Sequence, residues 1–353
     1  MTATPDAPVD APVLHHREGR AGHLVLNRPR AINALNHEMV RIMAETLDAW
    51  ERDESVATVV VTGAGERGLC AGGDIRSIHD DVRAGRAAAS AAFWRDEYLL
   101  NARIARFPKP YVAVMDGIVM GGGVGVSAHG DVRVVTERSR VAMPETGIGF
   151  VPDVGGTHLL TRTPGELGTH LGLTGTPVGA GDALLCGLAD HYVPSERLPE
   201  FTAALADTDV VDVVREFAAT PPAGELAARR EWIDHCYAAD SVEEIVDRLH
   251  ASGDRHAKEA AETILSKSPT SLKVTLAALR RARELPTLEA VLEQEYRVSC
   301  AALASPDLPE GIRAQVVDKD RRPRWSPAEL SRVTEADVAR FFERTGTDSL
   351  GLV

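Results

Sequence analysis

An α/β core followed by a helical C-terminal region is the fold class that three observations predict. Val56–Thr62 (VATVVVT) and Tyr111–Met115 (YVAVM) are β-branched, apolar runs of the kind buried on both faces of a sheet. Segments with helical spacing separate these runs, so strand and helix alternate in layers. From Glu225 onward, amphipathic helical patterns rich in charge take over.

Taken in order, residues 1–12 (MTATPDAPVDAP) lack the basic and apolar regions of a signal peptide and read as a loose tail. His23–Asn27 (HLVLN) is a short strand ended by Arg28-Pro29. Asn36 caps a helix whose apolar residues Val40, Met43, Leu47 and Trp50 share one face. After Val56–Thr62, five glycines between Gly63 and Gly73 form a loop that carries CAGGDI, Cys70–Ile75. Ala87–Arg106 is helical until Pro108 and Pro110 stop it. Beyond Tyr111–Met115, the triplet Gly121, Gly122, Gly123 opens a small-residue helix to about His129, and Val132–Thr136 is the next strand. Thr174–Val193 is one more compact unit. Helices follow over Glu225–Leu265, Ser271–Arg283 and Ala328–Glu343, with Thr334 as N-cap for the final turns of the last. These patterns predict a core over 13–205 and a helical region over 206–353 packing on it, with a boundary near Leu198–Asp209.

Composition narrows the partners. With 353 residues, 44% hydrophobic and 26% charged, the chain has the make-up of an ordinary soluble globular protein. No apolar run is long enough to cross a bilayer, so the expectation is a cytoplasmic protein without a membrane partner. A net charge of -13 argues against nucleic acid as a partner, although a local basic patch can still hold a phosphorylated ligand. Cys70, Cys186, Cys236 and Cys300 form no CxxC pair, and the twelve histidines form no HExxH spacing. Neither a resident metal nor a disulfide framework is expected.

The glycines and acids of Asp116–Gly156 suggest a pocket. Glycine lets another group approach the backbone closely and tolerates positive φ. Gly72 and Gly73 expose backbone N–H groups after a buried strand, and Gly122 lies near a helix start, where amides lack intrahelical partners. Two such amides converging would make an oxyanion hole, each donor contributing roughly 3–4 kcal/mol in known cases. Taken singly, each glycine motif is equally an aid to tight helix–strand packing. Glu145 and Asp153 sit in turns beside apolar residues. Glu145 also fits a first-turn helix acid, Asp153 a turn residue, and Glu97 a solvated helix charge.

Together these segments resemble the crotonase (enoyl-CoA hydratase/isomerase) superfamily. The resemblance rests on LNRPRAINAL (Leu26–Leu35), CAGGDI, KPYVAVMDGIVMGGGVGVSAHGD, AMPETGIGFVPDVGG and TGTPVGAGDALLCGLADHYV. It implies a crotonase-like spiral of ββα units that holds an acyl-CoA thioester with its carbonyl in an oxyanion hole. By motif position the two donors are the amides of Gly73 and Gly122. No separate cofactor is implied, because coenzyme A is part of the substrate. A homo-oligomer is compatible with the family.

The acids discriminate within it. Hydratases of this family carry one glutamate just after the triplet and another in the PE turn; this chain has Gly125 at the first position and Glu145 at the second. Asp153 stands where hydratases usually have glycine. MPETGIGFVPDVGG, FWRDEYLLN (Phe93–Asn101), SPTSLKVTL (Ser268–Leu276) and EGIRAQVVDKDRRPRW (Glu310–Trp325) are similar to the 3-hydroxyisobutyryl-CoA hydrolase family, over about Val13 to Leu350. That resemblance implies thioester hydrolysis with Glu145 as nucleophile or general base. It also implies that Asp153 and Glu97 hydrogen-bond the substrate's 3-hydroxyl. For the CoA moiety it points to Arg30 and Ala71, with Lys267 or Lys273 adding positive charge. A hydratase or isomerase, and an acyl-CoA-binding protein without turnover, are the competing readings.

Overall fold

The computed structural model describes residues 11–344, 346 and 349–353. The chain forms two compact units, each assembled from separate segments. The first comprises residues up to Gly73, Leu99–Val141 and Val178–Gly224; the second comprises Asp74–Tyr98, Ala142–Pro177 and Glu225–Val353. A single linear boundary near Leu198–Asp209 is therefore not how the chain divides. Two stretches of the expected core, Asp74–Tyr98 and Ala142–Pro177, belong with the C-terminal helices, where Tyr98 packs edge-on against Tyr296 and Val151 is buried among apolar side chains.

In the first unit the strands are β1 (Val13–Glu18), β2 (Ala21–Leu26), β3 (Thr58–Gly63), β4 (Tyr111–Met115), β5 (Ile118–Met120), β6 (Val132–Val135), β7 (Arg140–Ala142) and β8 (His191–Tyr192). Six of them form one sheet in the order β1-β2-β3-β4-β6-β8, and β5 pairs with β7. Only β1 and β2 are antiparallel within the larger sheet; the remaining neighbours run parallel. The β-branched runs are buried as expected for parallel strands covered on both sides, with Val59, Val60, Val61, Val112 and Ala113 fully inaccessible. Val60, Val112, Val114 and Val134 pack with Phe201, Val213 and Phe217 from the helices Leu198–Ala204 and Val210–Phe217, and with Leu205, which caps the first of them.

The second unit is mostly helical. Its C-terminal helices are Leu226–Tyr237, Val242–Ala251, Arg255–Leu265, Pro269–Ala282 and Leu288–Ala302. Ser241, Asp254, Ser268 and Thr287 cap four of them, each side chain accepting from a first-turn amide. Val151 from the Ala142–Pro177 segment packs with Val274, Ala278, Val298 and Phe342.

Several elements match the expectation with shifted ends. Asn36 caps His37–Arg52 by accepting from the Met39 amide. Ala87–Ile104 is helical. Other elements depart from it. The strand β1 went unread, because HHRE is polar and mostly exposed, leaving no alternation to find. The helix after the glycine triplet spans only Gly122–Gly125 before turns take over; four glycines between 121 and 125 cannot sustain more. The final helix starts at Glu335, after a Thr334 capping box, and Leu330–Arg332 is a separate turn. Of the expected tail, residues 1–10 lie outside the described residues, whereas the Ala11 and Pro12 carbonyls accept from Asn27 and are tied to the first unit.

Candidate active site

The first unit brings the two glycine loops together. Asn33, fully buried at φ +54, places Nδ2 within 3.0, 3.2 and 3.1 Å of the Ala64, Gly68 and Leu69 carbonyls, while its Oδ1 accepts from the Arg28 amide. The RPRAINAL segment is thereby pinned to the glycine loop. The Ala71 amide donates to Ile32 at 2.9 Å, and the Leu35 amide to Gly72 at 2.8 Å. On the other side the Cys70 amide donates to Ile118 at 3.1 Å and the Met120 amide to Cys70 at 3.0 Å, joining CAGGDI to β5. A Cβ on Gly123 would stand 2.5 Å from the Cys70 carbonyl oxygen, and one on Gly72 would stand 3.7 Å from the Gly122 nitrogen. At Gly123 only glycine permits this approach, whereas at Gly72 it is the φ of +106 that favours glycine.

Gly122 is the first residue of its short helix, so its amide has no intrahelical partner. Among the described residues, neither the Gly73 nor the Gly122 amide donates to a backbone carbonyl outside its own element. The two expected donors thus sit on adjoining loops with their amides available.

The second unit gathers the acids. Glu97, Glu145, Asp153 and Glu295 are all at least nine-tenths buried. Glu145 opens the 3-10 turn Glu145–Ile148, which ends on Gly149 at φ +73. That turn is wedged against the helix Asp307–Ile312: a Cβ on Gly149 would meet the Asp307 carbonyl oxygen at 2.2 Å, and one on Gly311 the Ile148 carbonyl oxygen at 2.3 Å. The Ser268 amide also donates to Thr146 at 3.2 Å. Buried Glu145 Oε2 and Glu97 Oε1 have no hydrogen-bond partner among the described residues. Asp153 accepts from the Tyr98 hydroxyl at 2.6 Å.

Crowding four carboxyl groups into an apolar interior favours their neutral forms. Burial, reinforced by the Asp153 charge, holds Glu97 and Glu145 well above the usual carboxylate range. Burial raises Asp153 to about 7, opposed by the hydrogen bond from Tyr98. Burial likewise raises Glu295 to about 8, opposed by donors from Thr157 and Gly155. Charge on Asp153 therefore resists ionisation of Glu97 and Glu145.

Glu97 is thus no solvated surface charge. Three residues absent from the expectation complete the cluster: Tyr98, Ser299 and Glu295. Tyr98 follows Glu97 in FWRDEYLLN, but nothing in its spacing distinguishes it from a core aromatic. Ser299 and Glu295 lie four residues apart on Leu288–Ala302, a spacing that marks one helix face without revealing what it meets.

The basic residues fare unevenly. Arg30 is exposed and its carbonyl accepts from Arg67, leaving the side chain at the surface. Lys267 is partly buried, with Nζ 3.4 Å from where a Cβ on Gly147 would be, and burial lowers its pKa. Lys273 does not fit a phosphate-binding role here: it is ion-paired to Glu243 at 2.6 Å and donates to the Val333 carbonyl at 2.9 Å. Ala71 uses its amide within the fold, leaving its carbonyl as the group available to a ligand. In the first unit, His16, Glu18 and His23 place ligand-type atoms within 4.8 Å of one another, and the two imidazole rings stack at 4.9 Å. Cross-strand pairing of His16 with His23 creates this group, so no sequence spacing announces it.

The enoyl-CoA hydratase/isomerase family matches residues 21–342. The chain is 42% identical to the rat mitochondrial 3-hydroxyisobutyryl-CoA hydrolase, covering 96% of this chain and 91% of that protein. The human counterpart is 40% identical, with 96% and 90% covered. Among solved structures, a carnitinyl-CoA dehydratase from Mycobacterium thermoresistibile is 55% identical, with a TM-score of 0.93 over 96% of this chain and 98% of that one. An enoyl-CoA hydratase from Rhodobacter sphaeroides 2.4.1 is 41% identical, with a TM-score of 0.91 over 96% and 99%. The expected crotonase-like α/β fold is borne out by these solved relatives. On the match over residues 21–342 and the identity across nearly its whole length, the chain belongs to the enoyl-CoA hydratase/isomerase family.

Proposed function

We propose that this protein hydrolyses a 3-hydroxyacyl-CoA thioester, 3-hydroxyisobutyryl-CoA in the first instance, to the free hydroxy acid and coenzyme A. The observation that carries the reading is Glu145, buried with an unpartnered carboxyl oxygen beside Asp153, in a chain with Gly125 where hydratases of the family keep a second glutamate. The curated relatives bear the name of this hydrolase. A step in valine breakdown follows from that substrate. CoA enters as part of the substrate, so the reading needs no separate cofactor.

In this reading the Gly73 and Gly122 amides receive the oxyanion formed when the thioester carbonyl is attacked. Ionised Glu145 adds to the carbonyl carbon, the C–S bond breaks, and the thiolate leaves and is protonated. Water then opens the resulting anhydride, returning the carboxylate and releasing the acid. The alternative is that Glu145 takes a proton from an attacking water. Asp153 accepts a hydrogen bond from the 3-hydroxyl and Glu97, kept neutral by burial, donates one to it, contacts that discriminate against acyl groups lacking the hydroxyl. Arg30 and Lys267 are the proposed partners of the CoA phosphates.

The test is release of free thiol from 3-hydroxyisobutyryl-CoA, run beside crotonyl-CoA with its double-bond absorbance followed. Thiol release from the hydroxy substrate is expected. Hydration of crotonyl-CoA without thiol release would replace this reading with a hydratase. That second reading has support in the names of the two solved relatives and in Glu97 and Asp153, either of which could supply a second acid. Trapping by hydroxylamine of an acyl group on Glu145 separates the anhydride route from the general-base route. The curated relatives are named mitochondrial, and the cytoplasmic address stands as a proposal that cell fractionation tests.

A further inference from the structure

We propose that Tyr98 is a positioning residue that holds Asp153 charged and oriented, with one carboxyl oxygen occupied and the other left for a ligand, and that Ser299 supports it. The observation is a buried chain of three side chains from three separate segments. Tyr98 Oη donates to Asp153 Oδ2 at 2.6 Å and lies 2.8 Å from Ser299 Oγ. A phenol has a single proton. With that proton committed to Asp153, the Ser299 hydroxyl donates to Tyr98, and the chain runs in one direction, Ser299 to Tyr98 to Asp153. Tyr98 and Ser299 are fully inaccessible and Asp153 is 5% exposed, so no bulk water competes for these bonds.

The carboxylate needs this help. Asp153 follows Pro152 and precedes Val154, a β-branched residue at φ +52, in a turn whose conformation fixes where its side chain points. The groups facing it are acidic or neutral: Glu97 and Tyr98 from Ala87–Ile104, Glu145 from its 3-10 turn, and Glu295 and Ser299 from Leu288–Ala302. The Asp153 charge opposes ionisation of Glu97, Glu145 and Glu295, burial opposes that of Asp153 itself, and among the described residues no cation is paired with Asp153. The tyrosine hydroxyl is the largest influence favouring the charged form, acting downward against burial, and the backbone amide of Asp153 adds a smaller one. Edge-on packing against Tyr296, with ring centroids 6.0 Å apart, holds the Tyr98 ring in place. Tyr98 touches Asp153 rather than substrate. Its role rests on the hydrolytic reading only for its consequence in turnover, not for the titration itself.

Tyr98→Phe keeps the ring and removes the donor. The carboxyl titration of Asp153 in the free protein, read by carboxyl-carbon NMR and assigned with Asp153→Asn, should move upward by about one pH unit. Ser299→Ala should move it in the same direction by less, and supplies the measurement if Tyr98→Phe fails to fold. If the protein hydrolyses the hydroxyacyl thioester, kcat/KM in Tyr98→Phe should fall most at pH values below the shifted Asp153 midpoint and recover above it. An unchanged Asp153 midpoint in the folded variants would overturn the proposal. A shifted midpoint in a protein that releases no thiol would leave the Tyr98 assignment standing and sink the hydrolase reading instead.

Discussion

Glu295 accepts from the Gly155 amide at 2.6 Å, so a carboxylate from the C-terminal helix Leu288–Ala302 fixes the turn that presents Asp153. Its other oxygen accepts from the Thr157 amide at 2.8 Å and the Thr157 hydroxyl at 2.6 Å. The side chain thereby satisfies orphan donors at the start of the helix Gly156–Leu160. A Gln at 295 would offer one acceptor oxygen for three donors and point an amide at another. Glu295→Gln is expected to lower stability by about 1–3 kcal/mol and to reduce kcat more than it raises KM. Thermal denaturation with steady-state kinetics checks both.

Glu145 must lose its proton to act as nucleophile or base, and burial opposes that loss. The acid limb of the pH–rate profile should therefore lie above the ordinary carboxylate range, with the rate rising as pH increases. Glu145→Gln should cut kcat by on the order of 10²–10⁴ while the fold persists. Thiol release measured from about pH 5 to 9 gives the profile.

The same burial makes stability depend on pH. A carboxyl of Asp type titrates near about 4 when unfolded, whereas Asp153 in the folded chain is raised to about 7. Between those values the folded state binds the extra proton. Its contribution is complete below about 4 and is lost as pH rises through about 7. Glu295, raised to about 8, extends the decline. Denaturation midpoints should fall from about pH 4 to pH 8, and Asp153→Asn should flatten the part of that slope below about pH 7.

Gly123→Ala tests the contact between the donor loops. The added methyl would stand 2.5 Å from the Cys70 carbonyl oxygen, so one loop must retreat. A stability loss of about 1–3 kcal/mol is expected. A fall in kcat on the order of 10²-fold is also expected, the scale of one lost oxyanion donor. Calorimetry and kinetics on the purified variant separate the two effects.

Asn33→Ala removes the side chain that ties RPRAINAL to the glycine loop. Buried carbonyls of Gly68 and Leu69 would lose their donor, at a cost of about 1–3 kcal/mol. Proteolysis of the native protein should then begin in the loop Gly63–Gly73.

Much of this protein was legible in its sequence because local chemistry dictates it. The buried strands follow from unbroken β-branched runs such as Thr58–Gly63 and Tyr111–Met115. The cap of His37–Arg52 follows from Asn36 before an amphipathic run, and the Gly122 amide without an intrahelical partner from glycines at a helix start. Glu145, Asp153 and Glu97 were found through motifs whose residues lie close together along the chain. The tertiary structure alone decided what those acids touch. Tyr98, Glu295 and Ser299 reach Asp153 and its turn across separations of 55, 140 and 201 residues, counted for Tyr98 to Asp153, Gly155 to Glu295 and Tyr98 to Ser299. It also turned Lys273 toward Glu243 and divided the chain into interleaved units instead of two consecutive ones. The physical reason is that side-chain pairing and burial depend on packing between remote segments, and no local pattern encodes which segments meet.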